Sequence, residues 1–394
     1  MKIFVIDQDS LGTKFVVNTL NKMGHTVAVE NYAFGEKARV NPEFDAFFES
    51  KIVQNGYDMV FTFNYVPVIS TNCQKYNKKY VSWVYDCPQV KLYSNTLQNS
   101  CNYVFIFDKV MYFELKNKGI DTAYHMPLAV DTKELDQFHP SREIRTKYQS
   151  DVSFVGSLYN EQHCLYQWFD DLPPFVKGYL DAMVQAQSFV DGYFFLEDQL
   201  TPELVAEIQK VVPYTPMEDG TETPEYAYAH YFMARKVAEI ERCRIIKKIS
   251  DQYQMKVYTS GDTSAFPNVT NMGLVDYYNA MPYVFKCSKI NINISLKSIR
   301  SGIPLRAFDI MGAGGFLLSN WQAEFEDYFV PGEDLVLYDG ENDLLEKIDY
   351  YLNHEEERKS IAEHGYQKVK QYHSFEVRLK EMLDIVNGTG GVEE

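Results

Sequence analysis

Residues 289–320 read KININISLKSIRSGIPLRAFDIMGAGGFLLSN, and the pattern of this stretch decides the fold class. An apolar segment typical of a β-strand leads into a basic loop that contains a glycine. A short helix is expected to begin at Pro304, because proline suits the first position of a helix. Glycines then end the helix, and a second apolar strand follows. Such a unit belongs to an α/β protein, which binds ligands at the carboxyl ends of its parallel strands.

The loop and helix of this unit bring several cations and one carboxylate together. Lys297 and Arg300 precede the predicted helix, and Arg306 lies in its first turn, where unpaired backbone amides favour an anion. Asp309 follows three residues later on the same face. The cations suit a diphosphate and the carboxylate suits a pair of hydroxyl groups, so the pattern predicts a nucleotide-sugar site. The alternative is an ordinary amphipathic helix with an Asp–Arg pair on its surface.

Composition narrows the classes of partner. The 394-residue chain carries a formal net charge of −17, which disfavours nucleic acid and anionic lipid surfaces. Six cysteines are scattered without metal-binding spacing, as expected for reduced thiols, and we expect no metal site. The apolar run near the amino terminus suits a first strand and is too short for a signal peptide or an integral membrane segment. These features predict a cytoplasmic protein.

Strand-like and helix-like segments alternate along most of the chain, which predicts two Rossmann-like domains. We place the first domain at residues 1–135 and a polar linker before residue 150. The second domain, residues 150–373, contains a predicted helical insertion at about 173–254. A final helix at about 374–388 is expected to pack back on the first domain.

Three further places at strand ends are candidates for the site. Gly156 and Ser157 end the first strand of the second domain, although a tight turn also explains the glycine. Gly12 lies in the loop after the first strand of the chain and is a candidate for the site, although helix capping explains this loop equally well. Asp86 ends another strand and is a candidate catalytic base, preferred over Asp108, with capping again the alternative.

The segment IRSGIPLRAFDIMGAGGFLLSN resembles the donor site of GT-B glycosyltransferases, above all the bacterial CgeB-like branch (spore maturation and related proteins). SWVYDCP, FIFDK, HMPLAVD and SFVGSLYNE are similar to landmarks of that branch. The resemblance implies two Rossmann-like domains facing each other across a cleft. It also implies the transfer of a hexosyl group from a nucleotide sugar, with UDP as the expected nucleotide, to a glycan or protein acceptor. Retention of configuration and no metal or other cofactor are expected.

The resemblance also assigns roles to individual residues. Asp309 takes the place of the second Glu in the family's donor motif and would bind the ribose. Ser301 stands where the family has its first Glu, and Gly302 and Ile303 would present backbone amides to the donor. Together with Asp86, which is chosen for its place at a strand end and not from the resemblance, Arg306 is a candidate catalytic residue. Two alternatives remain open, a nucleotide-sugar epimerase and a non-catalytic sugar-nucleotide-binding or spore-surface protein. The insertion could bind a protein acceptor or form a homodimer contact.

Overall fold

The computed structural model describes residues 1–35, 38–161 and 164–389. The chain forms two compact units. Among the described residues, the first comprises those of Met1–Ala129, Pro216–Glu222 and 373–389, and the second comprises those of Val130–Thr215 and Thr223–Tyr372. Each unit is built around its own parallel sheet.

The sheet of the first unit has six strands in the order β2-β1-β3-β4-β5-β6, and each neighbouring pair is parallel. Its central strands β1 and β3 are almost continuously apolar, as expected when helices cover both faces of a parallel sheet, whereas the edge strand β2 is more polar and more exposed. Residues 3–6, for example, are at most 2% exposed. The strands are β1 (Lys2–Asp7), β2 (Thr26–Asn31), β3 (Met59–Phe63), β4 (Lys79–Val84), β5 (Asn102–Ile106) and β6 (Ala123–His125). The helices between them are α1 (Thr13–Lys22), α2 (Pro42–Phe48), α3 (Pro67–Lys75) and α4 (Lys109–Asn117).

The sheet of the second unit also has six strands, in the order β12-β11-β10-β7-β8-β9, with parallel pairing throughout. Because the strands are parallel, the loops that follow β7, β8, β10, β11 and β12 all leave the same edge of the sheet. The strands are β7 (Ser150–Val155), β8 (Met255–Tyr258), β9 (Val269–Asn271), β10 (Ser288–Asn293), β11 (Leu317–Asn320) and β12 (Val336–Tyr338).

The helices of the second unit fall into two groups. Those outside the region of the predicted insertion are α5 (Thr132–Leu135), α6 (Arg142–Tyr148), α11 (Met281–Cys287), α12 (Leu305–Gly312), α13 (Ala323–Tyr328), α14 (Gly340–Asn353) and α15 (Glu355–Tyr372). Those within it are α7 (Pro174–Gln187), α8 (Pro202–Val211), α9 (Pro224–Ala227) and α10 (Ala234–Ser250).

The helical insertion has an apolar core of its own. Phe169, Leu180, Ile208 and Tyr228 are fully buried within this core. The cluster is separate from the core formed by the second sheet, to which α10 contributes Ile245 and other residues. The insertion is therefore a packed layer of helices that joins the sheet through α10.

One short segment of the insertion belongs to the first unit. The sequence placed all of residues 173–254 in the second domain, but Pro216–Glu222 groups with the first unit. The reason is a set of polar contacts: Asp219 pairs with Arg39 and accepts a hydrogen bond from Ser94. The boundary expected near residue 135 falls at Ala129.

The last helix, α16 (Phe375–Val386), also belongs to the first unit. Its Phe375 ring packs against the ring of Phe15 in α1, with 5.3 Å between the ring centroids. Near the other end of the helix, the ammonium of Lys79 donates a 2.8 Å hydrogen bond to the carbonyl of Val386. Across the described residues, no helix combines the length and the apolar character needed to cross a membrane.

Candidate functional site

Helix α12 and the loop before it, residues 294–304, form the centre of the candidate site. The loop follows β10 and leaves the carboxyl edge of the second sheet. Pro304 is the residue that caps the helix, with an extended backbone, so the helix begins at Leu305 rather than at Pro304 as expected. The amides of the first turn point toward this end of the helix, beside the loop, and that of Ala307 donates a hydrogen bond to the carbonyl of Pro304.

Asp309 and Arg306 contact one another on the buried side of α12. Nη1 of Arg306 lies 3.2 Å from Oδ2 of Asp309, and the hydroxyl of Tyr277 donates a 3.0 Å hydrogen bond to Oδ1. Asp309 as a whole is only 5% exposed. Burial raises the pKa of Asp309 to about 6, although Arg306 and the Tyr277 hydrogen bond oppose this change. Asp309 is therefore ionised at neutral pH and held by both of its oxygens.

Lys297 lies in a different environment from the one that the sequence predicted. Its side chain is 4% exposed, and its ammonium pairs with Asp191 and, at 2.9 Å, with Glu241. Burial alone would lower the pKa of Lys297, but the two carboxylates outweigh it and the pKa is raised. Burial raises the pKa of Glu241, and Lys297 opposes this shift. The positive charge that was assigned to a diphosphate is thus already balanced by carboxylates of the helical insertion.

The middle of the loop is hydrogen-bonded to the segment that follows β11. Ser301 is 4% exposed, and its hydroxyl donates a 2.8 Å hydrogen bond to Glu324 of α13. Gly302 and Ile303 are buried as well, whereas Arg300 is partly exposed. A carboxylate therefore lies beside position 301, although residue 301 itself is not acidic.

The turn after β7 is held by Arg242 of α10. The guanidinium donates one hydrogen bond to the carbonyl of Ser157 and another to the carbonyl of Ile294, both 2.7 Å long. The Ser157 hydroxyl itself donates to Glu161. A Cβ on Gly156 would lie 3.1 Å from the Phe154 ring, so glycine fits the tight space here. Arg242 thus joins the loops that follow β7 and β10.

In the first unit, the loop that contains Gly12 is hydrogen-bonded to the side chain of Asp7, the last residue of β1. Gly12 has a φ of 102°, which favours glycine. Asp7 accepts hydrogen bonds from the backbone amide of Ser10 and, at 2.7 Å, from the hydroxyl of Thr13. The amide of Ser10 and the hydroxyl of Thr13 in this loop are therefore already hydrogen-bonded to an internal carboxyl group.

The two strand-end aspartates of the first unit differ in their roles. Asp108 is fully buried and caps α4 by accepting a hydrogen bond from the amide of Met111. Asp86 is exposed and accepts a 2.8 Å hydrogen bond from the side chain of Asn64. The carboxyl group that sequence analysis preferred is thus the accessible one of the pair.

Within the second unit, the structure brings Arg306 directly to Asp309 and places Ser301 to Ile303 in the loop beside their helix. Sequence reasoning missed Tyr277, Glu324 and Arg242, which contact these elements from distant parts of the chain. The aromatic residues around Tyr277 and the basic residues around Arg242 were the only local signals, and the acidic segment around Glu324 gave none. Among the described residues, no group of three or more His, Cys, Asp or Glu side chains could hold a metal ion.

Residues 235–384 match the model of a family described as glycosyl transferase-like. The matched stretch includes α12, Ser301, Arg306 and Asp309. This part of the chain is thus similar to a glycosyl transferase-like family, whereas membership of the CgeB-like branch stays a prediction. Curated proteins give no match to this chain.

Solved structures with the same architecture are numerous. HepE from Anabaena, in complex with UDP and glucose, is 12% identical, with a TM-score of 0.53 over 98% of this chain and 100% of that chain. Sucrose-phosphate synthase from Thermosynechococcus elongatus is 12% identical, with a TM-score of 0.56 over 98% of each chain. Trehalose-6-phosphate synthase, studied for glycosyl transfer with retention, is 9% identical, with a TM-score of 0.54 over 98% of this chain and 99% of that chain.

At these identities the likeness shows the fold. The two parallel six-stranded sheets with their helices are those of the GT-B fold, which confirms the predicted fold class of two Rossmann-like units.

Proposed function

We propose that this protein is a glycosyltransferase that moves a sugar from a nucleotide sugar to an acceptor. The observation that carries the proposal is the buried carboxylate of Asp309, which lies in α12 of a GT-B fold and is held by Arg306 of the same helix and by Tyr277. An ionised carboxylate with oriented oxygens is suited to accept hydrogen bonds from the two hydroxyls of a ribose. HepE binds UDP and glucose, which makes UDP the first nucleotide to test.

The loop and the helix start supply the groups that a diphosphate needs. Arg306 and Arg300 carry positive charge, and the amides of Gly302, Ile303 and the first turn of α12 are donors. In the transition state these groups would stabilise the charge that develops on the leaving diphosphate. We therefore propose transfer that needs no metal, and we expect it to persist in the presence of a chelator.

Three finer features belong to the same proposal. The transferred group is a hexose, its configuration is retained, and the acceptor is a glycan or a protein. Asp86, the accessible strand-end carboxylate of the first unit, is the proposed acceptor base. Nuclear magnetic resonance of the product anomer distinguishes retention from inversion.

A binding screen tests the proposal. UDP-, GDP- and dTDP-sugars are added to the wild-type protein and its thermal unfolding is followed, since a ligand at a hundred times its Kd stabilises by about 2.7 kcal/mol. We expect a UDP-sugar to stabilise the wild-type protein and to lose most of its effect in D309A. The matched control D251N removes an exposed carboxylate and keeps the response. If no nucleotide sugar stabilises the wild-type protein, the proposed function is wrong.

A second candidate function is binding of a sugar nucleotide without catalysis. The observation in its favour is Ser301, which stands where the family resemblance expects a glutamate. Binding of a UDP-sugar without release of UDP, with or without added glycan acceptors, would support this function over transfer.

A further inference from the structure

The donor loop, residues 294–304, is hydrogen-bonded at intervals to the segment that follows β11, residues 319–324. The amide of Ser295 donates to the side-chain oxygen of Asn320 at 2.9 Å. Further along, the side-chain amide of Gln322 donates to the carbonyl of Ile299 at 3.3 Å. The loop is thus supported along its length by the neighbouring strand–helix connection.

The last of these connections consists of two hydrogen bonds between Ser301 and Glu324. The Ser301 hydroxyl donates to Oε1 of Glu324 at 2.8 Å, and the Glu324 amide donates to the Ser301 carbonyl at 3.1 Å. Ser301 is 4% exposed and Glu324 is 1% exposed. A hydrogen bond between a hydroxyl and a buried carboxylate is stronger than one between neutral groups, so this contact restrains residue 301 firmly.

The restrained residue lies immediately before the two amides that the proposed function assigns to the donor. Gly302 has no side chain to limit its backbone, so its direction depends on the residues on either side of it. Ile303 is buried and leads into Pro304, which caps α12. The contact at residue 301 therefore restrains the chain immediately before the amides of Gly302 and Ile303.

We propose that Glu324 is a positioning residue of the donor site, acting through Ser301 to orient the amides of Gly302 and Ile303. The inference rests on the proposed function. Glu324 acts through the loop and not on the substrate, so its effect depends on its ability to accept the hydrogen bond of Ser301. This dependence separates it from a carboxylate that contacts the sugar.

Four variants and a control test the inference. E324A and S301A each remove the side-chain hydrogen bond, the double variant removes both partners, and E324Q keeps an oxygen that can accept from Ser301. E326A is the matched control, since Glu326 lies on the same helix, is exposed and bonds to Trp321 instead. The readouts are kcat and KM for the nucleotide sugar, and hydrogen exchange of the amides at residues 301–303.

We expect E324A and S301A each to lower kcat/KM about tenfold and to speed amide exchange at residues 301–303. The double variant should be no worse than the poorer single variant, because one contact is lost in each case. E324Q should stay within about threefold of the wild type, and E326A within about twofold.

Other results would overturn the inference. Wild-type kinetics and exchange in E324A would show that the contact does not position the loop. Losses that multiply in the double variant, or an E324Q variant as poor as E324A with normal exchange, would show that Glu324 acts by another route. If E324A does not fold, the kinetics and amide exchange of S301A and E324Q test the inference in its place. If the wild-type protein binds no nucleotide sugar, the proposed function fails, and the exchange data still decide whether Glu324 orders the loop.

Discussion

The hydroxyl of Tyr277 donates a 3.0 Å hydrogen bond to Oδ1 of Asp309, thirty-two residues further along the chain. Arg306 contacts the other carboxylate oxygen of the same group at 3.2 Å. The carboxylate is therefore oriented before any ligand binds, and the cost of ordering it is met during folding.

Removing the Tyr277 hydroxyl should weaken donor binding. In Y277F, Asp309 loses one of its two partners, and its pKa should rise further because that hydrogen bond favours the ionised form. We expect Kd for a UDP-sugar to increase by about three- to tenfold, as measured by titration calorimetry. The control Y350F removes an exposed hydroxyl bonded to Glu357 and should have no effect. An unchanged Kd in Y277F would contradict the role of Tyr277.

Donor binding should depend on pH through Asp309. Its pKa is raised to about 6, so the carboxyl group is protonated below that pH and ionised above it. If the ionised form binds the ribose, Kd for a UDP-sugar should be about tenfold higher at pH 5 than at pH 7. The diphosphate of a nucleotide sugar has no group that titrates in this range. D309N should bind weakly at both pH values, and a wild-type Kd that does not change with pH would exclude this role for Asp309.

Lys297 should matter for stability more than for binding. K297M leaves Asp191 and Glu241 without their cation, and loss of one partner of a buried pair costs about 3–5 kcal/mol. Chemical denaturation measures this loss. In the control K247M, an exposed Lys247–Asp251 pair is broken, and the cost should stay within about 0.5 kcal/mol. If K297M had wild-type stability but bound UDP more weakly, the original assignment of Lys297 to the diphosphate would be restored.

Gly312 should tolerate no side chain. A Cβ at this position would lie 2.5 Å from Cγ2 of Val130, so G312A should lower the free energy of unfolding by about 1–3 kcal/mol. Gly178 lies inside α7 with open space around it, so G178A should raise stability by about 0.5–1 kcal/mol. Denaturation curves of the two variants should therefore shift in opposite directions, and a shift in the same direction would contradict the packing argument.

Much of the fold and part of the site could be predicted from local patterns. The apolar runs and the glycines of residues 289–320 predicted the strand–helix–strand unit, because periodicity and turn chemistry are properties of neighbouring residues. Arg306 and Asp309 are three residues apart, so helix geometry alone predicted that their side chains would meet.

The parts of the site that could not be predicted depend on contacts between distant residues. Asp191 is 106 positions from Lys297, so nothing in the loop sequence revealed that this ammonium is neutralised. The side chain of Asp7, at the end of β1, accepts a hydrogen bond from the amide of Ser10 in the loop that contains Gly12. The composition of this loop does not reveal that contact. Glu324 reaches Ser301 only because β10 and β11 are adjacent in the sheet.

The pairing of Lys297 with Asp191 and Glu241 also bears on protein engineering. Both carboxylates come from the stretch that sequence analysis treated as an insertion, and so does Arg242, which bonds to Ser157 and Ile294. Excising the insertion to obtain a smaller protein would leave the buried ammonium of Lys297 without its two carboxylates. The loops after β7 and β10 would also lose their hydrogen bonds to Arg242. A shortened version would have to replace Lys297 by an apolar residue and retain α10, because this insertion is not a detachable module.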